Sequence, residues 1–347
     1  MKKSLLALSV LAACAGVAHA QSSVVIYGVV DMAIQNENRG GSGAGTGSVT
    51  ALDSGIQSGS RIGFKGTEDL GGGLKAIFDL EMGVNADNGT SSQGGLAFGR
   101  QAWVGLAGDF GSVTMGRQYT PIFIATDTID PWDAGFNSTG GGPQAGVGTS
   151  TAGTLGLFGT PFRTNNTVNY STNNLGGFTG SAAYTFGEVA GDNTASRQIG
   201  LSGTYTGGPV IGTVAYHKAN NAAGFATKLL FVGGIYDFQV AKLHAAWGKT
   251  TTDLNTLETK EWMIGTTVPF GAANFIASYT QVKNDLVANA NKGKQYAIGG
   301  TYALSKRTNF YTNYARTTND ANSNAGGIAA TNGATDRLVN FGIRHKF

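Results

Sequence analysis

Cysteine is nearly absent from the 347-residue chain, which contains only Cys14. Residues 1–20 have the pattern of an export signal, with two lysines, an apolar stretch and an Ala18-His19-Ala20 cleavage site, so the mature chain is expected to begin at Gln21. A mature chain without cysteine has no disulfide, no thiol nucleophile and no thiolate metal ligand. Leu11-Ala12-Ala13-Cys14 also resembles a lipoprotein cleavage box, so lipidation of Cys14 stays open as an alternative.

Charge is scarce as well. Charged residues make up 13% of the chain, where soluble domains average about 25%. The formal charge of +3 falls to 22 basic against 21 acidic residues when Lys2 and Lys3 leave with the signal. Because no basic patch is visible, we expect no nucleic-acid partner. Beyond residue 20 no apolar run reaches the roughly 18 to 20 residues of a transmembrane helix, so the chain could enter a membrane only as strands.

Proline is also rare, at six residues, whereas glycine is abundant, at 55. Each glycine inside a helix costs about 1 kcal/mol relative to alanine, which argues against a helical protein. Aromatic residues are 10% and hydrophobic residues 41% of the chain, too many for a disordered or collagen-like sequence. The composition therefore favours an all-β fold.

Alternation of apolar and polar residues supports this fold. Between Leu74 and Val84 one parity is apolar, while the other carries Lys75, Asp79 and Glu81. The same period of two recurs around residues 178–186 and 295–304. Each segment is about ten residues long, which is the length of a tilted strand that crosses a bilayer.

Short turn signals separate the alternating segments. Their centres fall near residues 72, 109, 175, 207, 238, 270 and 305, at intervals of about 31 to 37 residues with one interval of about 66. Longer Gly/Asn/Ser/Thr-rich loops lie between them. Seven short turns and eight long loops predict an exported sixteen-stranded antiparallel transmembrane β-barrel. A barrel of this width holds water, because its side chains cannot fill the interior.

Several motifs resemble the general diffusion porins of Gram-negative outer membranes, in their beta-proteobacterial branch. They include residues 60–71 (SRIGFKGTEDLG), residues 99–106 (GRQAWVGL), residues 115–118 (MGRQ) and residues 163–170 (RTNNTVNY). The resemblance covers essentially the whole mature chain, 21–347. It implies a homotrimer of barrels with short periplasmic turns, long external loops and a third loop folded inward, which passes small hydrophilic solutes and ions through the outer membrane. It implies no enzymatic activity, catalytic residue, metal or cofactor.

The loop over residues 119–161 is the candidate constriction. It causes the one long interval between turns and contains four of the six prolines, and a loop of this length in a compact chain is usually functional. Its acidic residues Asp127, Asp130 and Asp133 are candidate pore-lining groups, and the alternative for each is a solvated carboxylate or a turn former. The loop lacks the Pro-Glu-Phe-Gly-Gly segment of better-known porins.

Arginines are the candidate basic side of the pore. Arg61 lies on the parity opposite Ile62, which predicts a lumen position, and Arg100 is assigned inward because it opposes Gln101 and Trp103. The resemblance also implies that Arg100 and Arg163 line the constriction. For each arginine the alternative is a wall residue paired with a carboxylate. Only a slight preference for anions follows.

Glu81 lies on the lumen parity of its strand and matches an acidic constriction position of the family. Further residues are expected along the pore wall: Lys65, Lys75, Asp79 and Arg117. A basic wall that faces an acidic loop would set a transverse field, which penalises apolar solutes.

The C-terminal segment alternates up to Phe347 and looks like the signal that the outer-membrane assembly machinery reads; an ordinary edge strand is the alternative. Apolar outward residues would contact outer-membrane lipid. Three other functions stay open. An enzyme barrel finds no support, because the mature chain has only three histidines and no G-x-S-x-G motif. An adhesin or Gly-rich calcium-repeat protein lacks the repeated acidic units. A substrate-specific channel would differ by saturable uptake.

Overall fold

A computed structural model describes residues 23–41, 46–136, 161–289, 291–323 and 331–347. The signal and Cys14 predictions lie outside these residues. The described strands are β1 (Ser23–Arg39), β2 (Gly47–Ser54), β3 (Arg61–Gly71), β4 (Leu74–Asn85), β5 (Thr90–Ser91), β6 (Gln101–Gly108), β7 (Gly111–Tyr119), β8 (Arg163–Ser171), β9 (Phe178–Thr185), β10 (Gln198–Gly207), β11 (Val210–Asn220), β12 (Ala226–Asp237), β13 (Lys242–Thr252), β14 (Glu258–Phe270), β15 (Ala273–Asn284), β16 (Lys292–Ala303), β17 (Thr308–Asn319) and β18 (Thr335–Lys346). The described helices are α1 (Pro121–Ile129) and a 3-10 turn (Gln93–Gly95).

Sixteen strands form the wall. β2 and β3 both pair with β1 and together act as one wall strand, and the two-residue β5 pairs only with the end of β4 in a loop. All neighbouring strands are antiparallel, and β1 also pairs with β18, so the sheet closes on itself. The prediction of a closed sixteen-stranded antiparallel barrel is therefore confirmed. Closure removes the unpaired backbone edge that hydrocarbon does not tolerate.

The two ends of the chain complete the closure. The amide of Gly28 donates to the carbonyl of Phe347 at 3.1 Å, and the amide of Phe347 donates back to the carbonyl of Gly28 at the same distance. Gly28 is required here, because a Cβ at this position would lie 2.3 Å from the Phe347 ring. The terminal phenylalanine thus packs across the first strand.

Short turns and long connections alternate along the wall, at the positions where the sequence places them. The turn between β3 and β4 contains Gly71, Gly72 and Gly73, all with positive φ, which glycine adopts without steric cost. Among the described residues, no helix is long and apolar enough to span a membrane.

Side chains alternate between two faces of the wall. Large apolar residues on the outer face are exposed, among them Ile34 at 61% and Val104 at 57%. On the same strand as Ile34, the inward Asp31, Gln35 and Glu37 are buried. An outer face of this kind suits hydrocarbon and an inner face of this kind suits a polar lumen.

The described first part of the loop after β7, residues 120–136, folds into the barrel. Thr120 caps α1 by accepting a hydrogen bond from the Phe123 amide, and Pro121 follows at the first helical position, where its missing N–H costs nothing. Ile122 and Ile129 of α1 are fully buried, in one apolar cluster with the wall residues Phe231 and Met263. The loop is therefore held against the inner face by apolar packing.

The segment after α1 is fixed to the next part of the wall. Trp132 donates its indole N–H to the hydroxyl of Ser278 at 2.8 Å, and Phe136 packs edge-on against Trp132 and Tyr311. A Cβ on Gly135 would lie 1.8 Å from the carbonyl of Gln57, between β2 and β3. The loop thus lies against strands β10–β17 and leaves a gap toward β3, β4, β6 and β8.

Candidate pore constriction

Glu81 is the centre of a buried charge cluster on the β3–β6 side of the lumen. One of its carboxylate oxygens accepts from Nε of Arg100 at 2.6 Å, and the other lies 3.2 Å from Nε of Arg61. The Tyr27 hydroxyl donates to Asp79 at 2.8 Å and is 3.1 Å from Glu81. Arg100 and Glu81 are both almost fully buried. Two arginines thus share one carboxylate, and their positive charge is largely compensated.

Tyr119 connects Arg100 to a third arginine. Nη2 of Arg100 and Nη2 of Arg163 each donate to the Tyr119 hydroxyl at 2.9 Å. The Arg163 guanidinium lies 4.5 Å above the Tyr119 ring, a cation–π contact. The same ring stacks on Phe123 of α1 at 4.6 Å, so the loop helix also positions the arginines.

Arg163 differs from the other two arginines in its charge environment. None of the ion pairs between described residues includes it, and its buried Nε has no hydrogen-bond partner. Its guanidinium contacts the hydroxyl and the ring of Tyr119. Arg163 is therefore the cation of this cluster whose charge is least compensated.

Carboxylates of the loop face these arginines. Asp127 and Asp133 line one cavity of about 300 Å³ together with Arg61, Arg100, Arg163 and Tyr119. Burial, and then the nearby Asp133, raise the pKa of Asp127 to about 6, which Arg61 opposes. Burial also raises the pKa of Asp133. A narrow polar space thus separates a basic side from a weakly acidic side.

The comparisons with known proteins agree with this architecture. A family model described as a Gram-negative porin matches residues 7–322. The chain belongs to the Gram-negative porin family. Outer membrane porin protein 32 of Delftia acidovorans is 36% identical over 369 residues, and an outer membrane porin protein of Bordetella pertussis is 31% identical over 406; both matches cover the full length of both chains.

Solved structures agree with the family. The anion-selective porin from Comamonas acidovorans has a TM-score of 0.78 and 31% identity, and the match covers 94% of this chain and 100% of that one. OmpT of Vibrio cholerae, in a trimer form, has a TM-score of 0.65 at 17% identity, which bears on the fold alone. The protein is thus an outer-membrane porin, and its family and fold are those of channels rather than enzymes. Among the described residues, no group of three His, Cys, Asp or Glu side chains could hold a metal.

Arg100 points into the lumen, as predicted, but not because Gln101 and Trp103 point outward. Gln101 and Trp103 do not face outward: they pair in register with Glu81 and Asp79 on the inner face of the porin. β6 begins only at Gln101, so strand alternation does not govern Arg100, and its side chain reaches Glu81 from the preceding loop. A Cβ on Gly59 would lie 2.8 Å from its Nη1, so this glycine leaves room for the guanidinium.

The structure places two of the predicted residues away from the cavity that the arginines line. The sequence predicts Arg117 on the pore wall, but it pairs with Ala102 and shares the face of Met115, which is 53% exposed; its guanidinium donates to Gly99 and Asn165. Asp130 does not line the cavity with the arginines. It is buried, and its carboxylate accepts from the backbone amides of Trp132 and Ala134, the alternative role of a turn former.

The other wall residues lie on the inner face. Lys65 pairs in register with Asp79, and its Nζ lies 5.0 Å from the Tyr27 ring centroid. Lys75 pairs with Asp69 near the first short turn. The sequence pattern does not identify Tyr27 or Tyr119 as residues of the constriction. No spacing rule distinguishes a tyrosine that contacts arginines in the lumen from one in the aromatic belt at the membrane–water interface.

Proposed function

We propose that this outer-membrane channel is weakly anion-selective and passes small hydrophilic solutes and ions by passive diffusion. The single observation that carries the proposal is Arg163, a partly buried guanidinium that forms no ion pair with a carboxylate among the described residues and lines the constriction cavity. Glu81 compensates much of the charge of Arg61 and Arg100, whereas no ion pair among the described residues compensates Arg163. The local balance therefore favours anions.

The relatives support the same sign of selectivity. The porin from Comamonas acidovorans, which is 31% identical to this chain, is described as anion-selective. The arginines that face the loop give a physical reason for such a preference here. Polar side chains on both sides of the cavity would order water and penalise apolar solutes.

The test is conductance of the refolded protein in a planar bilayer under a potassium chloride gradient. We expect ohmic steps and a reversal potential that indicates higher chloride than potassium permeability. A reversal potential of the opposite sign would refute the selectivity, and the absence of ohmic steps would refute the channel. Conductance that saturates with one solute would instead favour a substrate-specific channel.

We further propose that the protein is a homotrimer, in which the wall formed by the short strands β6 to β9 is buried between the copies. β6 and β9 have eight residues and β7 and β8 have nine, whereas the strands on the far side are longer, with 11 residues in β11 and 13 in β14. A tilted strand needs about 9 to 11 residues to cross a bilayer, so these four strands lie at or just below that limit, and the wall that they form is less suited to lipid than the far side. Arg117 also lies on this outer face, where a charge in contact with hydrocarbon is unfavourable.

Mass measurement in detergent tests the trimer. We expect three copies, and we expect Val104→Lys on the outer face of β6 to dissociate them, because three lysines would then enter the interface. The matched variant Ile298→Lys, on the outer face of a long strand, should leave the trimer intact. A monomeric parent protein would refute this part of the proposal.

Phe347 is proposed as the residue that the assembly machinery recognises. It is half-exposed, and its backbone closes the barrel on Gly28. Because a backbone role does not depend on the ring, Phe347→Ala separates the two functions. We expect the variant to refold in vitro like the parent protein but to reach the outer membrane of cells at reduced level. Equal levels would refute recognition of the ring.

A further inference from the structure

A second cavity lies on the other side of the loop, next to the short turns. It has a volume of about 490 Å³, within the range of small-molecule sites. Five cationic side chains line it: Lys242, Lys306, Arg307, Arg344 and Lys346. We refer to this cavity as the turn-side vestibule. None of these five residues belongs to the constriction described above.

Three of the cations are neighbours on the wall. Thr308 pairs in register with His345, and the Lys346 amide donates to the Arg307 carbonyl at 2.8 Å, so Arg307 and Lys346 lie opposite each other on adjacent strands. Arg344 is two residues from Lys346 on the same face of β18. Like charges at such positions repel each other, and an anion between them would relieve that repulsion.

Carboxylates balance this charge only in part, through the electrostatic interaction of Asp133 with Arg344, Lys346 and Lys242. Asp130 and Asp133 are the only acidic residues among those that line the vestibule, and the Asp130 carboxylate already accepts from two backbone amides. Asp31, across from Arg344 on β1, accepts from the Tyr311 hydroxyl and the Ser58 amide. Of the five vestibule cations, only Lys242 belongs to an ion pair between described residues: its Nζ lies 3.7 Å from a carboxylate oxygen of Asp237.

The cations have uncharged hydrogen-bonding neighbours. Nε of Arg344 donates to the side-chain oxygen of Asn309 at 3.1 Å, which leaves the other guanidinium N–H groups for another acceptor. The hydroxyls of Thr301 and Thr308 line the same cavity. Guanidinium groups bind the oxygens of phosphate or carboxylate in pairs, and lysines and hydroxyls complete such a site.

We propose that the turn-side vestibule binds divalent oxyanions of the phosphate class, with Arg344, Lys346 and Arg307 as the principal ligands. The inference rests on the proposed anion channel for its role, because an anion that crosses the lumen would pass this cavity, whereas binding itself does not require an open channel. Val29 pairs with Arg61 on one side and with Lys346 on the other, so one cross-strand row joins the constriction to the vestibule. Several cations around one cavity favour a divalent anion over chloride.

Calorimetric titration of the detergent-solubilised porin with inorganic phosphate at pH 7.5 tests the proposal. We expect saturable binding in the parent protein and binding weaker by about tenfold or more in Arg344→Gln/Lys346→Gln, since charge-assisted hydrogen bonds are lost. The single variant Lys346→Gln, at an exposed position, should weaken binding less and guards against misfolding of the double variant.

The matched control is Lys260→Gln/Lys283→Gln. It removes the same charge at the opposite end of the barrel, where both lysines pair with Asp285. Phosphate affinity should stay unchanged in this variant. Titration with glycerol phosphate extends the test to monoesters: equal or tighter binding indicates that esters are also ligands, whereas binding of inorganic phosphate alone restricts the ligand to the free ion.

The outcomes distinguish this inference from the proposed function. If bilayer recordings give an anion-selective channel but phosphate produces no saturable heat, the vestibule site is refuted and the channel stands. If Arg163→Gln abolishes phosphate binding while Arg344→Gln/Lys346→Gln does not, the anion binds in the constriction and the inference is wrong. If the protein binds phosphate in the vestibule but opens no channel, the proposed function fails alone.

Discussion

The constriction cavity and the turn-side vestibule lie on either side of one loop, and they treat positive charge differently. In the constriction, Glu81 compensates Arg61 and Arg100, while Tyr119 orders Arg163. Among the described residues that line the vestibule, no carboxylate is shared by two arginines as Glu81 is. Arg100 is almost fully buried, and a buried cation needs a partner because its desolvation is costly, whereas Lys346 of the vestibule is exposed. Burial thus explains why the first cluster is more fully neutralised than the second.

Loss of Glu81 should have the largest effect on this contrast. Glu81→Gln leaves the buried Arg100 without a charged partner, and breaking such a pair costs about 3 to 5 kcal/mol. We expect lower resistance to urea of the porin refolded in lipid vesicles, together with stronger anion selectivity of the channels that still form.

Asp253→Asn is the control for Glu81→Gln, because Asp253 pairs with Lys228 at an exposed position, where solvent screening leaves a salt bridge with little effect on stability. If both variants lost the same amount of stability, the argument from burial would be wrong.

Replacement of Arg163 should have the next largest effect, on selectivity rather than stability. Arg163→Gln removes the least compensated cation of the constriction, and a difference of roughly 1 kcal/mol in ion energy would lower the chloride-to-potassium permeability ratio about fivefold. Reversal potentials under a salt gradient measure this ratio. Arg117→Gln removes the same charge from the outer face and should leave the ratio unchanged. Equal shifts in both variants would show that net charge, not position, sets selectivity.

Acidification should have a smaller effect, in a predictable direction. Because the pKa of Asp127 is about 6, the carboxyl is mostly charged at pH 7.5 and mostly protonated at pH 5. Loss of this negative charge opposite Arg61 should raise the anion preference as pH falls through 6. Reversal potentials between pH 7.5 and 5 follow the change, which Asp127→Asn should largely remove. A pH dependence that persists in this variant would assign the titration to another group, with Asp133 first among the candidates.

Most of the fold could be predicted from the sequence, because its signals are local. Alternation within segments such as Leu74–Val84 places each side chain on one face, and turn residues mark each reversal of the chain. The spacing of the turns then fixes the number of strands, and closure follows from the lack of tolerated edges. Arg61 and Glu81, in the middle of this regular pattern, lie on the predicted face.

The errors in the site occur where regular alternation ends. Arg100 precedes the first residue of β6, and the pairing of β7 with β8 shifts between Gly116 and Gln118, next to Arg117. In these places long-range contacts decide where a side chain lies, as between Arg100 and Tyr119. The sequence misplaces Asp130 because the backbone conformation after α1 is visible only in three dimensions.

Asp133 offers the smallest effect and the sharpest comparison, since it lines both cavities. Burial raises the pKa of its carboxyl, and the nearby Arg344 and Lys346 oppose that shift. Asp133→Asn should therefore raise the anion permeability ratio only slightly, and should tighten phosphate binding to the vestibule about twofold, because the nearby Arg344 and Lys346 lose an opposing charge. Asp127→Asn, which changes a residue of the constriction cavity alone, should leave phosphate affinity unchanged. If the two variants bound phosphate equally well, a charge in the constriction would affect anion binding in the vestibule as strongly as Asp133 does. The distinction between a more compensated constriction and a less compensated vestibule would then be wrong.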